Sequence, residues 1–167
     1  MKIGIISDSH DHHENVLKVV EIFKSEGVKY ILHAGDIISA FTASAFGQVK
    51  DARFVAIFGN TDAEKVALKA AIEAFGGEIH DDPYSFEVDG HRIFMTHKPT
   101  LLDEIIASGK YDLVVYGHTH IQDIRKQGHT VVINPGELTD WLTGSGSAVI
   151  LETDDMSCEI KNLAQSQ

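Results

Sequence analysis

Five short apolar segments of this 167-residue chain are each followed closely by a side chain that can bind a metal ion. In chain order they are Ile3–Ile6 before Asp8 and His10, Ile31-Leu32 before Asp36, Val55–Phe58 before Asn60 and Asp62, Ile93–Met95 before His97, and Leu113–Tyr116 before His118 and His120. Short apolar runs bounded by turn residues are typical of buried strands. Because ligands of open α/β sheets bind beyond the carboxyl ends of the strands, we expect these polar groups to meet at one edge.

Strands and amphipathic helices alternate in the first half of the chain. Apolar runs predict strands over Lys2–Ile6, Tyr30–His33 and Phe54–Phe58. Apolar residues at helical spacing predict helices over Asn15–Ser25, Ala40–Phe46 and Glu64–Phe75. This alternation indicates parallel strand pairing with right-handed crossovers.

The second half carries hairpin signals instead. The predicted strand pairs are Ser85–Val88 with Arg92–Thr96, Ile121–Lys126 with Thr130–Ile133, and Ala148–Glu152 with Ser157–Asn162. Asp89-Gly90 in the first pair supplies the positive φ of a tight turn. A helix over Leu101–Ser108 precedes the strand Leu113–Tyr116. Since no linker divides the halves, we expect a single domain over residues 1–167, an α/β fold with a parallel half and an antiparallel half, packed as two sheets with helices outside.

Charge and composition exclude several classes of partner. The formal net charge is −11, which opposes binding to long nucleic acids and to anionic membranes. Cys158 is the only cysteine, so neither a disulfide framework nor a thiolate metal cluster can form within the chain. No apolar run approaches the roughly 18 residues of a membrane span, and the first is too short for a signal peptide. We therefore expect a cytoplasmic protein.

Each strand-end residue also has an ordinary structural interpretation. Asp8 and Asp36 could cap helices, and Asn60 could serve a turn. A histidine such as His97, taken alone, is more often a satisfied or surface residue than a ligand. In Gly117-His118-Thr119-His120, however, two imidazoles at alternate positions face the same way if the chain is extended. Five such coincidences at five consecutive strand ends favour a shared metal site.

The ligand types indicate which metals fit. The set has two carboxylates, four imidazoles and one amide oxygen, without sulfur. This mixture suits Mn²⁺, the metal we expect, or Ni²⁺, Fe²⁺, Zn²⁺ or Mg²⁺. Seven side chains exceed what one catalytic ion uses, whereas two ions sharing a bridging carboxylate account for the number. Two metals about 3.5–4 Å apart suit in-line displacement at phosphorus.

These residues, in this order, resemble the motifs of the calcineurin-like metallophosphoesterases. The five blocks are Asp-x-His at Asp8–His10, Gly35-Asp36, Gly59-Asn60, the lone His97, and Gly-His-x-His at Gly117–His120. The chain length, the opening residues 1–10 and Asn134-Pro135-Gly136 resemble the small YfcE-type phosphodiesterases in particular. The resemblance covers nearly the whole chain.

The family resemblance implies a fold, a ligand assignment and a reaction. The fold is a four-layer α/β/β/α sandwich of two mixed sheets. Asp8, His10 and His120 would hold one ion, Asn60, His97 and His118 the other, and Asp36 would bridge them. A metal-bridging hydroxide would attack the phosphorus of a small phosphodiester, activated aryl or nucleotide-sized, while both ions and Asn60 stabilise the developing charge.

Some positions depart from the family pattern. Thr61 stands where many relatives have a histidine that protonates the leaving group, and a threonine hydroxyl is too weak an acid for that task. We therefore expect esters with good leaving groups to be the better substrates. Asp62 is assigned to the catalytic residues as a group that orients water or a ligand, with a turn or helix cap as an equal alternative. Lys98 replaces a common glycine. Trp141 could stack on a base, but a tryptophan in the core or in a surface patch is the more common case, so Trp141 is placed outside the site.

Two other functions compete with this hypothesis. A non-catalytic protein-interaction scaffold, as in the small retromer subunit, would have no reason to keep all seven metal-capable side chains. A nuclease for long DNA conflicts with the net charge and with the lack of a Lys/Arg cluster. The expected partner is a small phosphodiester, and a homodimer is compatible with the sequence.

Overall fold

The computed structural model describes residues 1–163, which form eleven strands and four α-helices. The strands are β1 (Lys2–Ile6), β2 (Tyr30–His33), β3 (Arg53–Ile57), β4 (Glu78–His80), β5 (Tyr84–Val88), β6 (His91–Thr96), β7 (Leu113–Tyr116), β8 (Asp123–Gln127), β9 (Thr130–Asn134), β10 (Ser147–Glu152) and β11 (Cys158–Asn162). The helices are α1 (His13–Glu26), α2 (Ala40–Ser44), α3 (Lys65–Ala74) and α4 (Leu102–Ala107), and a 3₁₀ turn, Ala45–Gln48, follows α2. The predicted domain boundary includes residues 164–167, which lie outside the described part, and stays a prediction.

The strands form two mixed sheets. The first has the order β11-β10-β1-β2-β3-β4, in which β1 to β4 run parallel and β10 and β11 pair antiparallel beside them. The second has the order β5-β6-β7-β9-β8, with a parallel centre of β6, β7 and β9 and an antiparallel strand at each edge.

The predicted division into a parallel half and an antiparallel half is therefore wrong. The three hairpins form as predicted, but β10 and β11 extend the N-terminal sheet rather than the second one. The centre of the second sheet is parallel, because β6 and β7 are joined through α4 and β9 pairs with β7. Such pairings depend on partners far along the chain, which local periodicity does not specify.

Three clusters of buried apolar side chains, each forming a seam between two neighbouring layers, hold the four layers of the fold together. Alternate side chains of each strand point to opposite faces, so Ile3 and Ile5 enter one seam and Ile6 another. The outer seam of the first sheet is covered by α1, whose Phe23 lies over Gly4. The middle seam joins the two sheets, and α4 closes the outer face of the second sheet. This confirms the α/β/β/α sandwich of two mixed sheets.

One strand, β4, has no counterpart among the predicted elements. Its three residues, Glu78–His80, include only one apolar side chain, so the segment lacks a measurable period. It forms because β3 offers a free parallel edge, with Val55 opposite Glu78 and Ile57 opposite His80. None of the helices within residues 1–163 is long and apolar enough to cross a membrane.

Candidate metal centre

The candidate ligands follow the carboxyl ends of five strands from both sheets. Asp8 and His10 follow β1, Asp36 follows β2, and Asn60 follows β3. From the second sheet, His97 follows β6, and His118 and His120 follow β7. Because the two sheets face each other across the middle seam, their strand ends approach one another at one end of the sandwich.

Five of these residues have a left-handed backbone. The φ angles are 53° at Asp8, 40° at His10, 59° at Asp36, 68° at His118 and 60° at His120. Residues with a side chain rarely adopt such angles, and they persist only where the surrounding structure enforces them. Here hydrogen bonds between the loops enforce them: the Asp8 N–H donates to the Gly35 carbonyl and the His10 N–H to that of Asp36, each at 3.0 Å.

Two glycines allow the loops to approach so closely. A Cβ at Gly117 would overlap the Ser7 hydroxyl and lie 2.7 Å from Asp8 Oδ2, and a Cβ at Gly59 would overlap the Asp36 carboxylate. Both glycines directly precede candidate ligands. Their absence of a side chain is therefore required for the carboxylates to sit where they do.

Asp8, His10 and His120 form the first donor set. The Nε2 atoms of His10 and His120 lie 3.2 Å apart. Asp8 Oδ1 lies 3.7 Å from His10 Nε2 and 3.3 Å from His120 Nε2. Ligands about 2.1 Å from a shared cation would be separated by about 3.0–3.4 Å. Asp8 Oδ1 is buried and accepts no hydrogen bond within the described residues, so an ion between these atoms would satisfy it.

Glu137 orients the His120 ring. Its carboxylate Oε2 lies 2.7 Å from His120 Nδ1, which must therefore carry the hydrogen, so the Nε2 lone pair faces Asp8 and His10. Glu137 is 1% exposed, and its carboxylate also accepts hydrogen bonds from the Leu142 and Thr143 backbone N–H groups. Glu137 is not among the site residues predicted from the sequence.

We expect Glu137→Gln to weaken Mn²⁺ binding about 10-fold to 100-fold, the usual cost of losing a hydrogen-bond partner of a ligand histidine. The amide keeps the size of the side chain but can present its NH₂ group where the carboxylate accepts hydrogen bonds. Metal titration followed by calorimetry measures the effect. Glu152→Gln, at the far end of β10, is the matched control, and equal affinities for both variants would refute the orienting role.

His97, Asp36 and Asn60 form the second donor set. His97 Nδ1 donates to the Ala34 carbonyl at 2.8 Å, which turns the Nε2 lone pair toward Asn60 Oδ1 at 3.1 Å and Asp36 Oδ2 at 3.3 Å. When His97 is neutral, three acceptor atoms thus converge, an arrangement that a metal cation or a proton on His97 Nε2 would stabilise. Asp36 Oδ2 also lies 3.6 Å from His10 Nε2, between the two sets.

His118 is the most loosely placed candidate. Its ring is exposed and lies 5.1 Å from that of His97, measured between ring centroids. Its backbone N–H donates to Asp8 Oδ2 at 3.0 Å, which ties the β7 loop to the first donor set. His118 thus lies beside the second set rather than within it.

The cluster has the electrostatics of a cation site. Burial opposes the charged form of Asp36, yet its interactions with His97 and the Thr61 N–H hold the Asp36 pKa well below its usual range. Burial would lower the pKa values of His10 and His97, but the carboxylates of Asp8 and Asp36 raise them above the ordinary histidine value. The two carboxylates therefore favour positive charge at the centre, whether from protons or from metal ions.

Asp62 has a different position from the other candidates. It is 3% exposed, and its carboxylate accepts hydrogen bonds from four backbone N–H groups, those of Asp36, Ile37, Ile38 and Gly59, at 2.7–3.0 Å. These contacts fix the β2 and β3 loops against each other. The catalytic role of Asp62 stays a prediction, and its contacts favour a positioning role for it.

His33, at the end of β2, is buried among the loops of the centre. Its Nδ1 accepts from the Gly35 N–H at 3.2 Å, and its Nε2 lies 3.0 Å from the Ser9 hydroxyl. Burial lowers the pKa of His33 to about 3, despite the opposing charges of Asp8 and Asp36. The imidazole is therefore neutral and links the Asp8 and Asp36 loops.

Because His33 is buried in its neutral form, we expect the folded protein to be destabilised by acid. As pH falls below about 6.5, the unfolded chain protonates this histidine while the folded protein does not until pH about 3. The free energy of unfolding should therefore decrease as the pH is lowered, and the decrease should be steeper in the wild type than in His33→Gln. The expected difference between the two slopes is about 1.4 kcal/mol per pH unit. Urea unfolding between pH about 6 and 4 measures both slopes, and identical slopes would contradict the buried neutral state.

Trp141, which is predicted to lie outside the site, lies at its rim. Its ring stacks on His10, with centroids 5.1 Å apart and planes inclined by 29°. No local pattern in the nearby Asn134-Pro135-Gly136-Glu137 segment reveals a contact with His10 or His120.

Comparison with known proteins identifies the family. Residues 1–156 match the model of the calcineurin-like phosphoesterase superfamily domain. The chain belongs to the calcineurin-like phosphoesterase superfamily. It is 41% identical to Phosphodiesterase MJ0936 of Methanocaldococcus jannaschii over 157 residues, which cover 92% of this chain and 94% of that protein.

Two further relatives agree with this membership. Phosphodiesterase YfcE of Escherichia coli K12 is 25% identical, over 83% of this chain and 80% of that protein. The solved structure of an archaeal phosphodiesterase superposes with a TM-score of 0.91 at 39% identity, covering 98% of this chain and all of that one. The resemblance to the calcineurin-like superfamily and to YfcE-type proteins is confirmed, and the superfamily implies divalent metals.

Proposed function

We propose that this protein is a metal-dependent phosphodiesterase that hydrolyses small phosphodiesters at a dinuclear centre. The observation that carries the proposal is the pair of adjoining donor sets, Asp8 with His10 and His120, and Asp36 with His97 and Asn60. Relatives with this superfamily domain are phosphodiesterases by name, which supports the same reaction here.

The donor chemistry fits two divalent ions. Carboxylate, imidazole and amide oxygen donors suit Mn²⁺ first, and Ni²⁺, Fe²⁺, Zn²⁺ or Mg²⁺ as alternatives. We assign Asp8, His10 and His120 to one ion, and Asn60, His97 and His118 to the other, with Asp36 bridging. The ions would supply the activated nucleophile and the positive charge that displacement at phosphorus requires.

The protein's own side chains position the reactants. The Asn60 amide lies 3.1 Å from His97 Nε2 at the open side of the second set, where its NH₂ group can reach a phosphate oxygen as charge develops on it. Lys98 lines the same opening, and its positive charge contributes to lowering the His118 pKa, after burial and the charge of His97. Lys98 forms no ion pair within residues 1–163, so its charge is available to an anionic substrate.

The size of the site favours small esters. A cavity of 430 Å³ adjoins Asn60, His97 and Lys98, and another of 340 Å³ adjoins His120. Each has room for one organic arm of a diester. A net charge of −11 opposes a long polyanion, so we propose a nucleotide-sized or aryl diester as substrate.

Hydrolysis of bis(p-nitrophenyl) phosphate with added Mn²⁺ or Ni²⁺, with and without chelator, tests the proposal. We expect turnover that requires metal and is abolished by chelator. His118→Ala is the companion variant, and full activity there would refute its assignment. Folded protein without metal-dependent turnover would instead favour the protein-interaction scaffold.

The substrate preference should follow the leaving group. Thr61 is exposed beside the centre, where its backbone N–H donates to Asp36 Oδ1 at 2.9 Å, but its hydroxyl is too weak an acid to protonate a departing alkoxide. We expect p-nitrophenyl diesters to be hydrolysed about 10²-fold or more faster than matched alkyl diesters, since general acid catalysis is typically worth that much. Comparable kcat values across leaving groups of very different pKa would contradict this.

A further inference from the structure

Trp141 is exposed at the edge of the metal centre. It retains 62% of its accessible surface, although its indole ring stacks on His10. An exposed hydrophobic residue alone needs no explanation. An indole that stacks on a candidate metal ligand and still keeps most of its surface exposed, however, is placed to contact the organic part of an ester bound at the centre.

The loop that carries Trp141 is held on both sides. Before it, Asp140 Oδ1 lies 3.5 Å from His12 Nε2. After it, the Leu142 and Thr143 N–H groups donate to Glu137 Oε1 at 2.9 and 2.7 Å. Since Glu137 also binds His120, the same buried carboxylate fixes the loop and the first donor set. The indole is thus positioned before any ligand arrives, which lowers the entropic cost of stacking on it.

The space beside this loop can hold an organic group. The 340 Å³ cavity runs from His120 to Thr143, two residues beyond Trp141. Ile121, which is 67% exposed, adds apolar surface to the wall of the cavity, and Leu142, which directly follows Trp141 in the chain, is 73% exposed. Polar groups from Gln122 and Asn162 line the remaining wall.

We propose that Trp141 forms an aromatic subsite, in which the indole face turned away from His10 stacks on a planar ring carried by one arm of the phosphate ester. The inference rests on the proposed function, because the metal centre anchors the phosphate. Nucleobases and aryl groups share the required planar π surface. Stacking of a base on an aromatic side chain raises the binding affinity about 5-fold to 100-fold.

A purely structural alternative makes a different prediction. If Trp141 only packs against His10 to hold its ring, then removing the indole should weaken all phosphate ligands alike. If Trp141 contacts the organic arm, its removal should weaken aromatic ligands alone. Matched ligands with and without a ring separate the two roles.

Fluorescence of the wild-type protein provides the first test, because Trp141 is the only tryptophan. Adenosine monophosphate, phenyl phosphate and ribose 5-phosphate are titrated into protein supplemented with Zn²⁺ or Mg²⁺, which are diamagnetic. We expect saturable quenching by the two aromatic esters and little change with ribose 5-phosphate. If only one of the two aromatic esters quenches the fluorescence, its ring is the preferred type. Equal quenching by all three esters, or quenching by none of them, would overturn the subsite.

Calorimetric affinities for variants provide the second test. We expect Trp141→Ala to weaken adenosine monophosphate about 5-fold to 100-fold and ribose 5-phosphate less than about 2-fold, with Trp141→Phe retaining most of the affinity. A parallel loss for both ligands would assign Trp141 to positioning His10 instead. Because these readouts need no turnover, ring-specific binding without diester hydrolysis would reject the proposed function alone. Hydrolysis without ring-specific binding would reject the subsite alone.

Discussion

Asp36→Asn is expected to lower kcat/KM for bis(p-nitrophenyl) phosphate by about 10³-fold. Asp36 Oδ2 lies between His10 and His97, at 3.6 and 3.3 Å from their Nε2 atoms, where it can serve both donor sets. Asparagine removes the charge and one of the two oxygens. A loss of about 4 kcal/mol in transition-state stabilisation, which corresponds to that rate, is of the size expected for disturbing a metal pair.

The same variant should remain folded. Its amide oxygen can still accept the hydrogen bond that the Thr61 N–H donates to Asp36 Oδ1. Asp51→Asn removes an equal charge just before β3, at the end of that strand opposite to Asn60, and is expected to retain wild-type activity. Steady-state kinetics with metal in excess measures both variants, and activity of Asp36→Asn within a few-fold of the control would refute the bridging position.

Metal binding is expected to raise the melting temperature by about 5–10 °C. Without a cation, buried Asp8 Oδ1 accepts no hydrogen bond in the described residues, and acceptor atoms of both donor sets converge. An ion bound only by the folded state adds about 2.7 kcal/mol at a concentration 100 times its dissociation constant. For a protein of this length, each kcal/mol corresponds to about 2–4 °C.

Thermal unfolding followed by circular dichroism, with and without Mn²⁺, measures this shift. Asp8→Asn and His120→Ala should lose most of it, since the first replaces a charged carboxylate of the first set by a neutral amide and the second removes an imidazole. Chelator should return the wild type to its metal-free melting temperature. A shift of equal size in all three proteins would show that the ion binds elsewhere.

Much of the architecture was predictable, because strand and helix periods are local properties. Both Lys2–Ile6 and Leu113–Tyr116 were predicted with the bounds they have. The pairing of β10 with β1 was not predictable, since it joins residues from opposite ends of the chain. β4 was missed because a strand so short depends on the edge that β3 offers.

The candidate site, like the fold, could be predicted from the sequence only in part. The structure brings Asp8, His10, Asp36, His97 and His120 close together, with Asn60 and His118 beside them, and their role as metal ligands stays a prediction. Asp62 accepts hydrogen bonds from backbone N–H groups, and its predicted catalytic role stays a prediction. Glu137 and Trp141 could not be found from the sequence, because their roles depend on contacts with His120 and His10.

The sequence by itself determined which polar side chains follow which strands, since an apolar run and the residue after it are neighbours in the chain. That was enough to predict a metal centre of carboxylates and imidazoles. Only the tertiary structure decided which atoms face each other, because the ring orientations of His97 and His120 are set by Ala34 and Glu137. The stacking of the Trp141 indole on His10 was also decided by the tertiary structure alone, because it depends on packing between loops that are far apart in the chain.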